Sequence, residues 1–193
     1  MARAAGIEMM PTYLFQAKKR KGFFGVKRFD RVENRRLHLH SLAGLVHADH
    51  RTPSLDYDLV LRATQYLTKD VDEVRKAFRL ACFNVFAHNR DDHAKNFSFL
   101  MAADGRWRFA PAYDLTFSQG PGGEHCTTVL GEGKAPGKTQ LMSLATKFGI
   151  SQRDASAMIA EVQSTISGWA SYAGMAGLSK KTTSAIANAL HGR

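Results

Sequence analysis

The sequence has only two cysteines, Cys82 and Cys126, and no long hydrophobic run. Two cysteines do not make a disulfide framework, and Cys82 lies in an apolar helical pattern typical of a small core residue. No apolar stretch reaches the 18 or so residues that a membrane-spanning helix needs. The first ten residues also lack the apolar run of a secretory signal peptide. These absences predict a cytoplasmic protein in a reducing setting, with no membrane partner.

Acidic residues are the scarcer charge: 17 Asp and Glu stand against 27 Lys and Arg, a net charge of +10. Such an excess favours acidic partners, such as nucleic acid, nucleotides or anionic surfaces. A solvated basic surface explains the excess equally well. The longest basic run, residues 18–21, is too short to predict a disordered nucleic-acid arm.

The 193 residues, 44% of them hydrophobic, are enough for one large domain or one domain with a small appendage. Residues 1–6 resemble the tail of a helix capped by Gly6, which suggests that the chain begins part-way through a larger unit. Residues 13–15 and 23–29 are strand-like and predict an N-terminal hairpin. A two-stranded hairpin is marginally stable alone, so we expect it to pack on another segment.

Helical spacing dominates the rest of the chain. Residues 55–67 follow it, and Val74, Phe78, Ala81 and Val85 predict one buried face of a long helix that ends near residue 87. Further helices are predicted over 139–190, with a capping Ser151 and a buried stripe that includes Met158, Val162, Thr165 and Trp169. The patterns together predict an α+β, mostly helical fold.

A polar cluster, residues 88–96, follows the long helix and lies between two apolar segments. Residues 96–103 and 106–110 then read as two strands, joined by the hairpin signal Asp104–Gly105. A two-residue turn there would pair Ala103 with Arg106. Asn96 would then lie opposite Tyr113, and Asp114 beside Lys95 and Asn96.

The carboxylates of Asp91 and Asp114 and the carboxamide of Asn96 would meet at this end of the hairpin. They are hard oxygen ligands suited to Mg²⁺, which keeps waters and nucleotide phosphates as its other ligands. Protein kinases place the catalytic Asp five residues before the metal-binding Asn, and Asp91 and Asn96 have this spacing. We therefore expect Asp91 to act as base or to orient a hydroxyl, and Asn96 and Asp114 to hold the metal. Lys95 would neutralise the transferring phosphoryl group, and His93 would orient the loop.

Other interpretations of these residues remain. If each residue is considered alone, residues 89–92 are interpreted as a helix cap and Asp114 as the end of a strand. A phosphohydrolase is a weaker alternative, because the acids are too few for a two-metal site. The glycine-rich loop, residues 120–137, lacks the Gly-Lys-Ser/Thr of a phosphate loop and predicts a flexible lip near the site, with His125 and Lys134 in reach of substrate.

Two segments, DDHAKNFSF (91–99) and PAYDL (111–115), together resemble the signature of HipA-like kinases, the toxins of bacterial toxin–antitoxin systems. FGVKRFDR (24–31) resembles the hinge of the same family. Without that resemblance, its polar residues would be interpreted as the end of the second strand. The resemblance covers most of the chain up to the loop at 131–136, and the C-terminal helices more loosely.

The resemblance implies a protein kinase-like C-terminal lobe with a small N-terminal β-hairpin and a catalytic β-hairpin. It also implies Mg²⁺- and ATP-dependent phosphorylation of a Ser or Thr in a protein substrate, of the aminoacyl-tRNA synthetase class. A helix-turn-helix antitoxin is the implied partner and, through it, operator DNA. On this resemblance Asp91 is the catalytic Asp, Asn96 and Asp114 hold Mg²⁺, and Lys27, Arg28 and Phe29 line the adenine hinge.

The sequence departs from the family at its N-terminus, because residues 1–24 contain neither a phosphate-binding loop nor an ATP-contacting Lys. Residues 1–30 are therefore interpreted as a remnant of the N-lobe with the hinge. Residues 31–193 are the C-lobe, with its catalytic loop at 88–96. The alternatives are a fragment, a truncated gene product or one half of a split kinase with a companion N-lobe. A non-catalytic module that binds an antitoxin, a companion lobe or DNA through its basic surface is the competing function.

Overall fold

The computed structural model describes residues 1–18, 20–47 and 55–191; Lys19, in the basic run 18–21, lies outside the described residues. The architecture is α+β and mostly helical, as predicted. The helices are α1 (Leu42–Leu45), α2 (Tyr57–Thr68), α3 (Val71–Phe86), α4 (Lys138–Lys147), α5 (Gln152–Ser167), α6 (Trp169–Met175) and α7 (Lys180–His191). The strands are β1 (Thr12–Ala17), β2 (Arg20–Val26), β3 (Arg31–Val32), β4 (Arg35–Arg36), β5 (His38–Ser41), β6 (Leu55–Asp56), β7 (Ser98–Met101), β8 (Trp107–Phe109) and β9 (Thr127–Thr128).

Helix α3 is the central element and packs against α2, α5 and β8. Its start is fixed by Asp70, whose carboxylate accepts a hydrogen bond from the Asp72 amide at 2.9 Å. The predicted apolar face is confirmed, with Val74, Phe78, Ala81 and Val85 all buried. The polar cluster therefore leaves the core at the C-terminal end of this helix.

The hairpin β7–β8 joins β5 in a three-stranded sheet, but its register is one residue away from the predicted one. The Ala102 amide donates to the Arg106 carbonyl, so the loop has three residues rather than two. Gly105, the last of them, has a φ of 82°, a left-handed conformation that closes such a loop with a bulge. The pairing of Ala103 with Arg106 was wrong, and regular pairing ends at the hydrogen bond from the Ala110 amide to Ser98.

The N-terminal hairpin β1–β2 is present as predicted, with Leu14 opposite Phe24. The Lys27 amide donates to the Pro11 carbonyl and closes the base of the hairpin. A parallel bridge between Met9 and Ala112 joins the segment before β1 to the segment after β8. Its large apolar side chains are 55–71% exposed; they are Tyr13, Leu14, Phe15, Phe23 and Phe24. The packing expected for this hairpin is therefore not provided by the described residues.

The C-terminal helices lie close to their predicted bounds, and the Ser151 hydroxyl caps α5 by accepting from the Asp154 amide at 3.1 Å. The predicted stripe was wrong at its end, because α5 stops at Ser167 and buries Ile166 in place of Thr165. Trp169 instead begins α6, where its indole nitrogen donates to the Thr183 carbonyl of α7. No helix in the described ranges is long and apolar enough to cross a membrane.

Candidate active site

The chain turns sharply as it leaves α3. His88 has a φ of 51°, an uncommon conformation for a residue with a side chain, and its carbonyl accepts from the Ser118 amide at 2.9 Å. The next amide, of Asn89, returns to the Asn84 carbonyl inside the helix. The start of the catalytic loop is therefore fixed on both sides before the chain reaches Asp91.

Asp91 and Asn96 are joined by a hydrogen bond across the loop: the Asn96 side-chain amide nitrogen donates to the Asp91 carbonyl oxygen at 2.9 Å. This bond fixes which end of the amide is nitrogen and leaves its oxygen available as an acceptor. The Asp91 side chain is exposed and makes no hydrogen bond or ion pair with the described residues. A free carboxylate and a free amide oxygen thus lie at the two ends of one short loop.

Tyr113 brings Asp114 to that loop. The Tyr113 hydroxyl donates to the Lys95 carbonyl at 2.5 Å and lies 2.5 Å from the Ser98 hydroxyl. Burial, and then the nearby Asp114 carboxylate, raise the pKa of Tyr113, which keeps the phenol protonated as a donor. The Tyr113 side chain therefore connects the segment that carries Asp114 to the catalytic loop.

Asp114 itself has a φ of 56°, and its exposed carboxylate has no hydrogen-bond or ion-pair partner in the described ranges. Asp tolerates this left-handed conformation better than most residues. Strained backbone of this kind is concentrated at functional sites, where the surrounding structure holds it in place.

Of the three predicted hinge residues, Phe29 contacts Tyr113: their ring centroids lie 5.6 Å apart. The guanidinium of Arg28 instead makes a two-pronged ion pair with Asp30, at 2.6 and 2.8 Å. That hydrogen-bonded pair holds the pKa of Asp30 at about 2. Lys27 is exposed, and its backbone amide donates to the Pro11 carbonyl.

The two remaining catalytic candidates have few contacts. Lys95 is exposed, and its side chain makes no ion pair within the described part of the chain. The buried Nδ1 atom of His93 has no hydrogen-bond partner there either. The loop-orienting role expected of His93 stays a prediction.

The residue that sequence reasoning passed over is Asp92, which is fully buried. Its Oδ1 accepts from the Thr127 amide at 3.1 Å, and its Oδ2 accepts from the Tyr57 hydroxyl at 2.8 Å and lies 3.1 Å from Nδ1 of His125. Burial, and then the Asp92 charge, raise the pKa of Tyr57, so the phenol remains a donor. Asp92, Tyr57, His125 and Thr127 are called the Asp92 cluster below.

The Asp92 cluster corrects two expectations. His125 is buried and bonded to Asp92, so it is not in reach of substrate. Residues 55 and 56 do not begin a helix; they form β6, which pairs in parallel with β9 and places Tyr57 at the first position of α2. The bonding partners are 33 to 35 residues from Asp92 in sequence, so no local pattern could have revealed them.

Comparison with known proteins decides the family. The family model "HipA-like C-terminal domain" matches residues 1–169. The chain belongs to this family. No curated protein matches the sequence. Among solved structures, the HipA-like domain is similar to HipA of Shewanella oneidensis MR-1, from the complex of that toxin–antitoxin system with HipB and operator DNA. The TM-score is 0.65 and the identity is 16% over 83% of this chain, which spans 44% of that chain. The likeness shows a shared fold.

The candidate metal ligands of the HipA-like domain are of the chemical type that binds Mg²⁺. The Asn96 amide oxygen and the Asp114 carboxylate are hard oxygen donors, and Mg²⁺ is commonly bound by one or two carboxylates plus phosphates and water. No group of three or more His, Cys, Asp or Glu in residues 1–18, 20–47 and 55–191 is placed to hold a metal alone. A metal bound here would therefore complete its coordination with water and with oxygen atoms of a second molecule, such as a nucleoside triphosphate.

Proposed function

We propose that this HipA-like domain carries the catalytic site of an ATP-dependent protein kinase that phosphorylates Ser or Thr. The observation that carries the proposal is the hydrogen bond from the Asn96 amide nitrogen to the Asp91 carbonyl. Within the described residues, the Asn96 side-chain oxygen and the Asp91 carboxylate have no hydrogen-bond partner, and Tyr113 connects the segment of Asp114 to the same loop. A metal-binding amide, a free carboxylate and a second carboxylate are the set that phosphoryl transfer uses.

Each residue has a distinct role in this proposal. Asp91 would accept a hydrogen bond from the substrate hydroxyl, orient it and take its proton. Asn96 and Asp114 would hold Mg²⁺, which when bound neutralises charge on the nucleotide phosphates. Lys95 would add a positive charge beside the transferred group, and Phe29, with the backbone of residues 27–28, would border the adenine.

The cellular role, the substrate class and the partners are proposed from the family. We propose that the chain acts as the toxin of a cytoplasmic toxin–antitoxin pair and that its substrate is a protein of the aminoacyl-tRNA synthetase class. A helix-turn-helix antitoxin, and operator DNA through it, are the proposed partners. The solved complex of Shewanella HipA with HipB and operator DNA supports this choice.

Titration calorimetry with Mg²⁺ and a non-hydrolysable ATP analogue tests the proposal. The wild-type chain should bind the analogue only with Mg²⁺, and Asp114→Asn should weaken binding by at least about tenfold. Asn tolerates the left-handed backbone at this position, so the variant removes charge and not the fold. Asp91→Asn should keep the affinity and lose transfer of labelled phosphate to protein.

Asp104→Asn is the matched control, because Asp104 is an exposed aspartate at the far end of the same hairpin, paired with Arg106. It should bind the analogue as the wild type does. Equal affinity in the wild type and Asp114→Asn, or binding that does not depend on Mg²⁺, contradicts the proposed site.

A non-catalytic binding module is the second candidate, favoured by a basic groove away from the site. The groove has a volume of about 670 Å³ and is lined by the exposed Arg35, Arg36 and Arg108 together with apolar side chains. The exposed apolar side chains of the β1–β2 hairpin would suit a companion lobe. A chain that binds operator DNA or the antitoxin but gives no heat with Mg²⁺ and nucleotide would support this candidate.

A further inference from the structure

Neighbouring aspartates in the catalytic loop have opposite environments. Asp91 is exposed and has no side-chain partner in the described part of the molecule, whereas Asp92 is fully buried in its cluster. A buried carboxylate costs free energy unless its oxygens accept hydrogen bonds, and the contacts of Asp92 meet that need. The position of Asp91 is thus set by a buried anchor one peptide away.

The anchor reaches the glycine-rich loop. Besides the bond to the Asp92 carboxylate, the Thr127 hydroxyl donates to the Asp92 carbonyl. The Cys126 amide donates to the Arg90 carbonyl at 3.1 Å. Three consecutive residues of the glycine-rich loop, His125, Cys126 and Thr127, are therefore bonded to Arg90 and Asp92, the two residues that flank Asp91 in the catalytic loop.

The glycine-rich loop needs such an anchor. Four of its glycines, at positions 120, 122, 123 and 131, have a positive φ, and a glycine-rich segment loses much conformational entropy when ordered. At the other end of the segment, Asp56 accepts from the Gly131 amide at 2.8 Å and from the Thr128 hydroxyl at 2.6 Å. Asp92, together with the Arg90 carbonyl, joins the glycine-rich loop to the catalytic loop.

We propose that Asp92 is a positioning residue that holds the glycine-rich loop and the catalytic loop as one unit, with Thr127 as its partner. The proposal rests on the proposed kinase function. The glycine-rich loop then forms a fixed lip beside Asp91, against which a protein substrate's hydroxyl-bearing segment is placed. A displacement of about 1 Å at a reacting group costs roughly 100-fold in rate, so release of Thr127 should be felt at Asp91.

Thr127→Val tests this with little change of shape, because it removes only the hydroxyl that donates to Asp92. We expect kcat for phosphoryl transfer to fall about tenfold to 100-fold. The KM for Mg²⁺·ATP should change less than threefold, since Phe29 and Asp114 lie outside the Asp92 cluster. Thr127→Ser keeps the hydroxyl that Thr127→Val removes, so its kcat should stay close to that of the wild type. Asp92→Asn, which replaces an acceptor by a donor facing Tyr57 and His125, should show the larger loss.

Hydrogen–deuterium exchange gives a readout that does not depend on activity. In Thr127→Val, amide exchange should rise together in residues 88–96 and 120–137. Glu73→Gln is the control: this buried carboxylate accepts from the Phe109 amide at 2.6 Å, near the opposite end of α3. It should leave exchange in both loops, and kcat, unchanged.

Wild-type kcat in Thr127→Val, or faster exchange confined to residues 120–137, would overturn the coupling. If the wild type transfers no phosphate, the proposed function fails and the exchange pattern alone decides the role of Asp92. Faster amide exchange in both loops of Thr127→Val would then still support their coupling, and faster exchange in one loop alone would contradict it.

Discussion

Removal of the Tyr113 hydroxyl is the sharpest structural test of how the site is assembled. In Tyr113→Phe the ring stays in contact with Phe29, while the bonds to the Lys95 carbonyl and the Ser98 hydroxyl are lost. Each net hydrogen bond contributes about 1 kcal/mol. Ser98 is buried, so its hydroxyl is left without a partner, whereas the Lys95 carbonyl belongs to an exposed residue and can bind water. We therefore expect a loss of about 2 kcal/mol.

Urea unfolding at pH 7 measures this loss. With a slope of about 2 kcal/mol per molar, the midpoint should fall by about 1 M while the slope stays the same. Tyr172→Phe is the matched control, because the Tyr172 hydroxyl has no hydrogen bond to described residues and should cost less than about 0.5 kcal/mol.

Ser98→Ala supplies the second half of a double-mutant cycle. Because the two hydroxyls bond each other, the double variant should be scarcely less stable than Tyr113→Phe alone. Fully additive losses, or a midpoint for Tyr113→Phe within 0.2 M or so of the wild type, would refute the view that this hydroxyl ties Asp114 to the catalytic loop.

Three further predictions concern the hinge, the glycine-rich loop and the core. The pKa of Asp30, lowered from 3.8 to about 2 chiefly by its bond to Arg28, means that its contribution to stability is present above pH 3.8 and lost as the pH falls through about 2. The shift corresponds to roughly 2.5 kcal/mol, which screening of the exposed arginines reduces to about 1, so Asp30→Asn should destabilise at pH 6 and progressively less in urea titrations from pH 4 to 2. Gly120→Ala should cost at least about 1–2 kcal/mol in the same assay, because φ is 71° and the new Cβ would lie 2.0 Å from the Glu124 carbonyl oxygen; unchanged stability would show that this conformation is not needed. Phe97→Ala should cost about 3–5 kcal/mol in thermal unfolding, since the ring is 1% exposed; a loss under about 1 kcal/mol would contradict its core position.

Local patterns determined much of the fold. Helix α3 was predictable because its cap, its acidic first turn and its apolar spacing all lie within one continuous segment. The β7–β8 hairpin was predictable for the same reason, from Asp104–Gly105 between two apolar strands. Its register was not, because the left-handed φ of Gly105 adds a loop residue and the sequence permits either turn.

The candidate site was likewise predictable only in part. The spacing of Asp91 and Asn96, and the motif PAYDL (111–115) that contains Asp114, are visible in the sequence and led to the family. The sequence does not show that the Asn96 nitrogen faces the Asp91 carbonyl, or that Tyr113 connects Asp114 to Lys95. Those contacts need the relative position of two segments that only the folded sheet fixes.

Asp92 shows the limit most clearly. In the sequence it is the second of two adjacent aspartates, and the spacing to Asn96 that selects Asp91 gives Asp92 no role. The tertiary structure buries it against Tyr57, His125 and Thr127, and so one aspartate becomes an anchor while its neighbour stays open to solvent. The sequence by itself determined which chemical groups are present and which helices form. Which carboxylate is buried was decided by packing between residues more than 30 positions apart, and no local periodicity carries that information.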